Sequence, residues 1–372
     1  MERRHNHDKN RKDFESMKDS KQNGKAARRS SSQTSSSRSA SDAKRNTKQN
    51  PQGKKKLKTW QKALLIALGV FVVLGIAAGA ALLNFMNTLD GRLALDSLEL
   101  GELQEVITPR PESPQEPFYI LVLGSDAREQ GAASRSDTIM LCRLDPEKQM
   151  VSVLSIPRDT KVEIAGYGTQ KINAAMAFGG PAGAVTAVSN FVGVNISHVV
   201  MIDFEGFSDI IDRLGGVTVN VPAYSSYDGI ELQPGVQTLN GAQALTFVRD
   251  RRSYGLGDFQ RAANQRTLLK AVARKILQAP AAEIPGYVDS LAVCATTDLT
   301  STQLIDLALS FRGMDVDADM YTGQVPSKTD YDSVNNISYV IALEDQWAEV
   351  REKYVSGTVP FVDASNQPAV ID

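Results

Sequence analysis

The run FYILVLG at residues 118–124 gives the clearest structural signal in this sequence. It is a continuous apolar stretch that ends at a glycine, as is typical of a strand buried inside a sheet. Two further strand-like runs follow it, TIMLCRLD (138–145) and MVSVLSIP (150–157), and the turn PEKQ joins them. These three runs predict three β-strands, the first of them buried.

Strand-like and helical segments alternate through the rest of the chain. The other predicted strands are HVVMIDF (198–204), VTVNV (217–221), MYTGQVP (320–326) and SYVIAL (338–343). The predicted helices are GPAGAVTAVSNFVG (180–193), FEGFSDIIDRLGG (204–216), LNGAQALTFV (239–248, with Asn240 as N-cap), DFQRAANQRTLLKAVARKILQA (258–279), TSTQLIDLALSFRG (300–313) and EDQWAEVREKYV (344–355). In helix 258–279 the apolar side chains form one stripe, Leu268, Leu269, Val272, Ile276 and Leu277. This alternation predicts an α/β domain layered around one central sheet.

The N-terminal segment has a different composition. Residues 1–60 hold 18 Lys and Arg against 6 Asp and Glu, and they are rich in Ser, Asn and Gln. Such a segment cannot bury enough apolar surface to fold, so we predict that residues 1–62 are a disordered basic tail. The tail has no interleaved aromatic residues, which favours contact with anionic lipid over binding of nucleic acid.

Residues 63–83, ALLIALGVFVVLGIAAGAALL, carry no charge. A helix of this length crosses the roughly 30 Å hydrocarbon core of a membrane. Five lysines precede the run, which predicts a cytoplasmic tail and an extracellular C-terminal domain. A cleaved signal peptide is the alternative, because AAGAA resembles a cleavage site, but the apolar run is too long for one.

The remaining boundaries follow from composition. Residues 84–116 end in a proline-rich stretch and are predicted to be a stalk or linker, residues 117–358 the extracellular domain, and residues 359–372 a C-terminal tail. The two cysteines, Cys142 and Cys294, allow one disulfide, and the sequence leaves their pairing open.

Polar and charged residues follow the predicted strands. Asp126 and Arg128 come after the first strand and Asp137 precedes the second. Two carboxylates held close together need a cation between them, and oxygen ligands suit Mg²⁺ or Mn²⁺. The alternative is that both are ordinary turn aspartates. Three further residues lie at later strand ends or before a helix, Arg158, Asp159 and Lys171.

The segment VRDRRSYGLGDFQRAANQR (248–266) holds five arginines, although residues 84–372 are acidic overall. Asp258 is predicted to cap the helix that follows, and Arg261 and Gln265 share one face near its N-terminus, where the helix dipole favours an anion. Arg249 and Arg251 are predicted to approach from the preceding loop. We expect Arg252 and Arg266 to face solvent. Several guanidiniums beside a metal pair suit a pyrophosphate, and so predict phosphoryl transfer, with Asp159 or Asp258 taking the proton of an incoming hydroxyl.

Taken together and in order, nine elements resemble the LytR-CpsA-Psr family of cell-wall enzymes: GSDAR, SDT, SIPRD, KIN, DFEGF, DRLGGV, LNGAQAL, RDR and DFQRAANQ. The resemblance implies an exterior three-layer α/β/α domain with a central mixed sheet. It implies transfer of a phosphorylated glycopolymer, such as teichoic acid or capsular polysaccharide, from a polyprenyl-pyrophosphate carrier to peptidoglycan. The implied Mg²⁺ ligands are Asp126 and Asp137. The residues implied to hold pyrophosphate are Arg128, Arg158, Arg249, Arg251, Arg261 and Gln265.

The resemblance also implies an apolar tunnel for the lipid, between sheet and helices, to which AAMAFGG (174–180) and the stripe of helix 258–279 could contribute. One departure stands out. Many members have Gly before the residue matching Arg261 and Arg before the residue matching Gln265, whereas this chain has Gln260 and Asn264. Loss of a phosphate-binding guanidinium would weaken the pocket by about 1–3 kcal/mol.

Two other functions use the same residues. With water as acceptor, the domain would be a polyprenyl-pyrophosphate hydrolase. Without turnover, it would be a carrier-binding or regulatory membrane protein. A regulator that binds DNA is disfavoured, because the folded domain is predicted to lie outside the cell.

Overall fold

The computed structural model describes residues 58–125, 135–251, 253 and 257–362. Almost all of the predicted tail 1–62, and most of the predicted tail 359–372, therefore lie outside the described residues. The chain divides into a unit Met1–Ala63 and a unit Leu64–Asp372. Of the first unit, only the start of one helix is described.

The helices are numbered in chain order. They are α1 (Thr59–Leu93), α2 (Ser97–Val106), α3 (Ala174–Val192), α4 (Phe204–Arg213), α5 (Gly241–Arg249), α6 (Asp258–Leu277), α7 (Ile284–Leu291), α8 (Ser301–Ser310), α9 (Val316–Asp319) and α10 (Glu344–Ser356). The strands are β1 (Phe118–Ser125), β2 (Thr138–Asp145), β3 (Met150–Ser155), β4 (Lys161–Ile164), β5 (Gly168–Lys171), β6 (His198–Asp203), β7 (Val217–Val221), β8 (Ser225–Tyr227), β9 (Ile230–Leu232), β10 (Gly235–Leu239), β11 (Ala295–Thr297), β12 (Met320–Gln324), β13 (Ser327–Asp332) and β14 (Ile337–Ala342).

A six-stranded sheet in the order β11-β6-β1-β2-β3-β12 forms the centre of the domain. β1 runs parallel to β6 and antiparallel to β2, and β3 runs antiparallel to β2 and parallel to β12. The prediction of a central mixed sheet is therefore confirmed.

Helices cover both faces of this sheet. Leu121 and Leu123 of β1 pack in an apolar cluster with α2, α3 and α10. Ile120 and Val122 point the other way and pack with α6 and α8. Because successive side chains of a strand point to opposite faces, a strand of uninterrupted apolar residues needs cover on both sides. The predicted three-layer α/β/α architecture is confirmed.

Helix α6 buries two sides rather than the single predicted stripe. Leu268 and Val272 pack against α4, α5 and β7. Leu269 and Leu277 pack against the sheet. Neighbouring residues on a helix are about 100° apart, so Leu268 and Leu269 face different layers. This places α6 between the sheet and a second apolar cluster.

The segment expected to be a stalk is folded onto the domain. α1 continues past the predicted apolar run to Leu93, and its last turns bury Leu89 and Leu93 against Val288 and Ala292. Leu103 of α2 is fully buried in the main core. Leu89, Leu93 and Leu103 give residues 84–106 an apolar face that packs on the domain. The stalk prediction relied instead on the proline-rich end of the segment. Among the described residues one helix, over Ile66–Leu93, is long and apolar enough to cross a membrane, in agreement with the single span predicted.

Several short elements were not predicted. The hairpin β4–β5 is one, because its second strand, GTQK, has no apolar alternation. α3 begins at Ala174, six residues before the predicted start, and Gly179 and Gly180 interrupt it with non-helical backbone angles. Cys142 and Cys294 are free thiols in different apolar clusters, and burial raises the pKa of each to about 12.

The predicted cap of α5 is present. Asn240 Oδ1 accepts a hydrogen bond from Gln243 N at 2.9 Å, and Gln243 Oε1 accepts one from Asn240 N at 3.0 Å. We expect Asn240→Ala to lower the free energy of unfolding by about 1 kcal/mol, because the first turn loses a partner for its amide. Asn240→Asp, which keeps the acceptor, is the control in a thermal unfolding experiment. Equal losses in both variants would contradict this role.

Candidate functional site

A cavity of about 250 Å³ lies at one end of the central sheet. Asp137, just before β2, borders it together with Arg158 and Asp159, which follow β3. Arg261 and Gln265 of α6 close the opposite side. The structure thus brings together residues that the sequence placed at separate strand ends and in the arginine-rich segment.

Arg158 lies among three carboxylates. Its Nη1 donates a hydrogen bond to Asp137 Oδ1, and its Nε lies 3.5 Å from Asp258 Oδ2 and 3.9 Å from Asp159 Oδ2. Burial acts to lower the pKa of Arg158, but the hydrogen bond with Asp137 and the three carboxylates outweigh it, and the pKa is raised. Arg158 therefore stays charged and lowers the repulsion among the acidic groups.

Asp258 joins three guanidiniums. Besides Arg158, it pairs with Arg251 Nε at 3.1 Å and with Arg261 Nη2 at 3.3 Å. The prediction that Asp258 caps α6 is wrong: the N-cap is Gly257, at φ 51°, and no side chain caps this end. As the first helical residue, Asp258 instead turns its carboxylate toward the arginines. Through the bond with Arg261 Nη2 it orients that guanidinium.

Arg261 is the most buried cation of the cluster, with 8% of its side chain exposed. Burial lowers its pKa to about 10; Asp258 opposes this shift, and the nearby Arg251 and Arg158 add to it. Its Nη2 donates to the backbone oxygen of Asp137 at 3.3 Å, whereas Nε has no hydrogen-bond partner among the described residues. A desolvated guanidinium with a spare donor favours an anion beside it.

A second cavity, of about 580 Å³, adjoins the first. Asp137, Arg261 and Gln265 border both, and Arg249 and Arg251 border the second. Arg249 belongs to the last turn of α5 and not to a loop as predicted, because α5 runs one residue further than its apolar pattern. Arg251 lies in the loop that follows. Both still reach the same cavity.

Asp250, between these two arginines, was not predicted as a site residue. It is 1% exposed, and its Oδ2 accepts hydrogen bonds from Ser225 Oγ at 2.7 Å and Ser226 N at 3.2 Å. Its Oδ1 accepts one from Ser253 N at 3.1 Å. These bonds fix the backbone that presents both arginines. The sequence RDR, an acidic residue between two arginines, was the feature from which a supporting role of Asp250 could have been predicted.

Lys171 ends β5, and its Nζ lies 3.0 Å from Asp159 Oδ1. Asn173, which follows, is the N-cap of α3 but makes no side-chain capping bond; its backbone N donates to Arg158 O at 3.1 Å. The β4–β5 hairpin and the start of α3 thereby hold Arg158 and Asp159 in place.

Three predicted residues, Asp126, Arg128 and Arg252, lie outside the described residues. Only Asp137 of the predicted metal pair can therefore be placed. Within the described ranges no cluster of three or more His, Cys, Asp or Glu side chains is suited to a metal ion. The metal pair and the role of Arg128 stay predictions.

The prediction that Arg266 faces solvent is wrong. It is 4% exposed, and its Nη1 donates a hydrogen bond to Gln324 Oε1 at 3.2 Å. α6 is packed on two sides, so a position outside its main stripe is also buried, and β12 supplies the partner. Gln324 borders the smaller cavity, which makes Arg266 a support for its wall.

The two residues that depart from the family pattern form an internal network. Gln260 Nε2 donates to Asn264 Oδ1 at 3.1 Å, and Asn264 Nδ2 donates to Phe247 O at 2.9 Å. Both amides are 2% exposed. At these positions the chain therefore ties α6 to α5 by neutral hydrogen bonds.

A small apolar cavity, of about 60 Å³, lies between the sheet and α6. Leu268 and Leu269 of α6 border it with Met140 of β2, and Gln265 stands at its junction with the two polar cavities. Residues 174–180 do not border it. Two residues of the α6 stripe thus line apolar space next to the arginines, and the lipid tunnel that the resemblance implies stays a prediction.

Comparisons with known proteins identify the family and related chains. The model of the LytR_cpsA_psr family matches residues 95–355. The polyisoprenyl-teichoic acid–peptidoglycan teichoic acid transferase TagU of Halalkalibacterium halodurans is 33% identical over 299 residues, covering 78% of this chain and 96% of TagU.

Solved structures are also similar. That of TagV from B. subtilis has a TM-score of 0.60 at 31% identity and covers 66% of this chain and 98% of TagV. A structure of TagT bound to LIIa-WTA has a TM-score of 0.56 at 25% identity and covers 66% of this chain and 93% of TagT.

Proposed function

This chain belongs to the LytR_cpsA_psr family, and we propose that it transfers a phosphorylated glycopolymer from a polyprenyl-pyrophosphate carrier to peptidoglycan. The buried guanidinium of Arg261, which borders both polar cavities, carries this proposal. Gln265, one turn further along α6, borders both of them and the apolar cavity. The transferase activity of relatives such as TagU supports it. We take the glycopolymer to be a teichoic acid or a related capsular polysaccharide.

The pyrophosphate would lie beside Arg261 in the two joined polar cavities. Arg158 and Arg261 border the smaller one, and Arg249, Arg251 and Arg261 border the larger one. Guanidiniums match phosphate oxygens in pairs and keep their charge when partly buried. Arg128 is proposed as a further ligand, and Lys171 and Gln265 as neutralising and positioning groups.

We propose that the same site holds Mg²⁺, or Mn²⁺ in its place. Asp137, Asp159 and Asp258 all border the smaller cavity, and hard oxygen donors of this kind prefer such ions. We propose Asp137 and Asp126 as the ligands. The ion would supply charge neutralisation on the phosphate oxygens.

In the proposed step an acceptor hydroxyl oxygen bonds to the phosphorus that carries the glycopolymer, and the bond from this phosphorus to the bridging oxygen breaks. Polyprenyl phosphate leaves with the bond electrons, and arginines stabilise its negative charge. Asp159 takes the hydroxyl proton, since Asp258 is engaged with three guanidiniums whereas Asp159 contacts one lysine and one arginine.

We propose that α1 crosses the cell membrane with the basic tail in the cytoplasm and the domain outside. The lysines before residue 63 support this orientation. α1 also docks to α7 and α8, where Asp90 Oδ1 accepts from Ser301 N at 2.6 Å. The site would thereby be held near the lipid that carries the substrate.

Transfer of label provides the test. The full-length protein in detergent is mixed with a labelled polyprenyl-pyrophosphate oligosaccharide and peptidoglycan fragments, with Mg²⁺ or with EDTA. We expect label in peptidoglycan with Mg²⁺ and a loss of at least 100-fold with EDTA. Release of label into water alone would make the protein a hydrolase, and tight binding without turnover would make it a carrier-binding protein.

A further inference from the structure

A fourth cavity, of about 560 Å³, lies beside strand β4 of the β4–β5 hairpin. Its wall is formed by β4, α3, β14 and α10. Phe191 and Trp347 form an apolar part of the lining, with their rings stacked at 5.1 Å between centroids and 8° between planes. We call this cavity the hairpin groove.

Charged side chains of both signs border the hairpin groove. Lys161 and Arg351 are cationic, and Glu163 and Glu344 are anionic; all four are exposed. Within the part of the chain that the structure describes, Arg351 and Glu344 have no ion-pair or hydrogen-bond partner. These groups are available to a ligand.

The hairpin groove adjoins the cavity of about 250 Å³ that Arg158 and Arg261 border. Asp159 borders that cavity, and Lys161, two residues further along the chain, borders the groove. On β14, Val340 borders the cavity of about 250 Å³ and Ile341 borders the hairpin groove. Val340 N donates to Asp159 O at 2.9 Å, so one hydrogen-bonded wall separates them.

The lining indicates the kind of ligand. A polyanion, such as a phosphate-linked polymer, would meet the carboxylates of Glu163 and Glu344. A ligand with acidic and basic groups of its own and with sugar rings would instead find both charge signs and the exposed part of the Phe191 ring, which is stacked on the buried Trp347 (5% exposed). A peptide-bearing glycan strand has this chemistry.

We propose that the hairpin groove binds the acceptor peptidoglycan strand, with its sugars against Phe191, whose ring is stacked on Trp347, and its stem peptide against the charged rim. This inference rests on the proposed transferase function, for which the acceptor must approach Asp159. Lys161 and Arg351 are then acceptor-binding residues. They do not contact the donor.

Kinetics with both substrates test this assignment. We expect Lys161→Ala combined with Arg351→Ala to raise the KM for muropeptides, the disaccharide peptides released from peptidoglycan, about tenfold. The KM for the labelled donor should not change. The matched control combines Lys275→Ala with Arg213→Ala, which removes two exposed cations from the opposite side of the sheet. Thermal unfolding of both double variants checks that they fold.

Fluorescence gives a readout that needs no turnover. The chain has two tryptophans, Trp60 and Trp347, so Trp60→Phe leaves Trp347 as the sole reporter in the groove. We expect muropeptides to change its emission and inorganic pyrophosphate to leave it unchanged.

The outcomes separate this inference from the proposed function. A fluorescence response without transfer would support the groove and count against the transferase. Transfer with no fluorescence response, and with equal KM values in both double variants, would overturn the groove assignment. A response to pyrophosphate in place of muropeptides would overturn it as well, since the groove would then be an anion site.

Discussion

Arg261→Ala is expected to lower the rate of glycopolymer transfer about 100-fold or more, because it removes a desolvated donor from the site of developing phosphate charge. Arg261 is 8% exposed and its pKa is lowered to about 10, chiefly by burial. Its charge is therefore unfavourable in the substrate-free fold. The variant should melt at the same temperature as the parent protein or higher, as is common when a functional group is removed.

Arg261→Lys adds a pH dependence with a definite sign. The surroundings that lower the pKa of the arginine would lower that of a lysine from its ordinary 10.5 toward the physiological range. Transfer by this variant should fall as pH rises through that lowered pKa, because the ammonium loses its charge. The parent protein would keep its Arg261 charged through the same pH range.

The stability of Arg261→Lys should rise over the pH range in which its transfer activity falls. Above the lowered pKa the folded lysine is neutral while the unfolded one still binds a proton, so the free energy of unfolding rises with pH up to the unfolded pKa. Parallel pH series of transfer and of thermal unfolding, with Lys275→Arg as the control, separate the two effects. An activity profile that matches the parent at every pH would show that the charge of residue 261 does not act on the phosphate.

Strands buried on both faces were predictable from the sequence, since nothing but a sheet centre explains runs such as 118–124. The hairpin β4–β5 was not, because its strands are half exposed and owe their order to packing on α3. The stalk prediction failed for a similar reason. Leu89, Leu93 and Leu103 are buried by residues far along the chain, such as Val288, and the sequence does not show that these residues lie nearby.

The candidate site was predictable for residues that directly precede or follow a predicted strand. Arg158 and Asp137 follow or precede strands, and the sheet brings such ends together. The burial of Arg266 was not predictable, because its acceptor, Gln324, is 58 residues away. Asp258 was predicted to cap α6 but instead contacts arginines. The positive φ of Gly257, which makes Gly257 the N-cap, is not visible in the sequence.

Asp145→Ala is expected to have the largest effect on stability. Arg143 Nη1 donates to Asp145 Oδ2 at 2.9 Å, with 5% and 4% of the two side chains exposed. The substitution leaves a buried guanidinium without its carboxylate, which costs about 3–5 kcal/mol. For a domain of this size the melting temperature should fall by roughly 10 °C.

Replacing both partners tests whether the unpaired charge is the cause. Arg143→Met with Asp145→Leu removes both charges from the same space, and such apolar replacements are often neutral or stabilising. Gly357 packs directly against the guanidinium, since a Cβ added there would lie 2.7 Å from Arg143 Cζ, and methionine is an unbranched apolar side chain that can follow the path of the arginine stem. The double variant should therefore recover most of the melting temperature lost in Asp145→Ala. If it melts as low as the single variant, the hydrogen bond that Lys148 N donates to Asp145 Oδ1 at 3.2 Å accounts for the loss instead, and the ion pair contributes little.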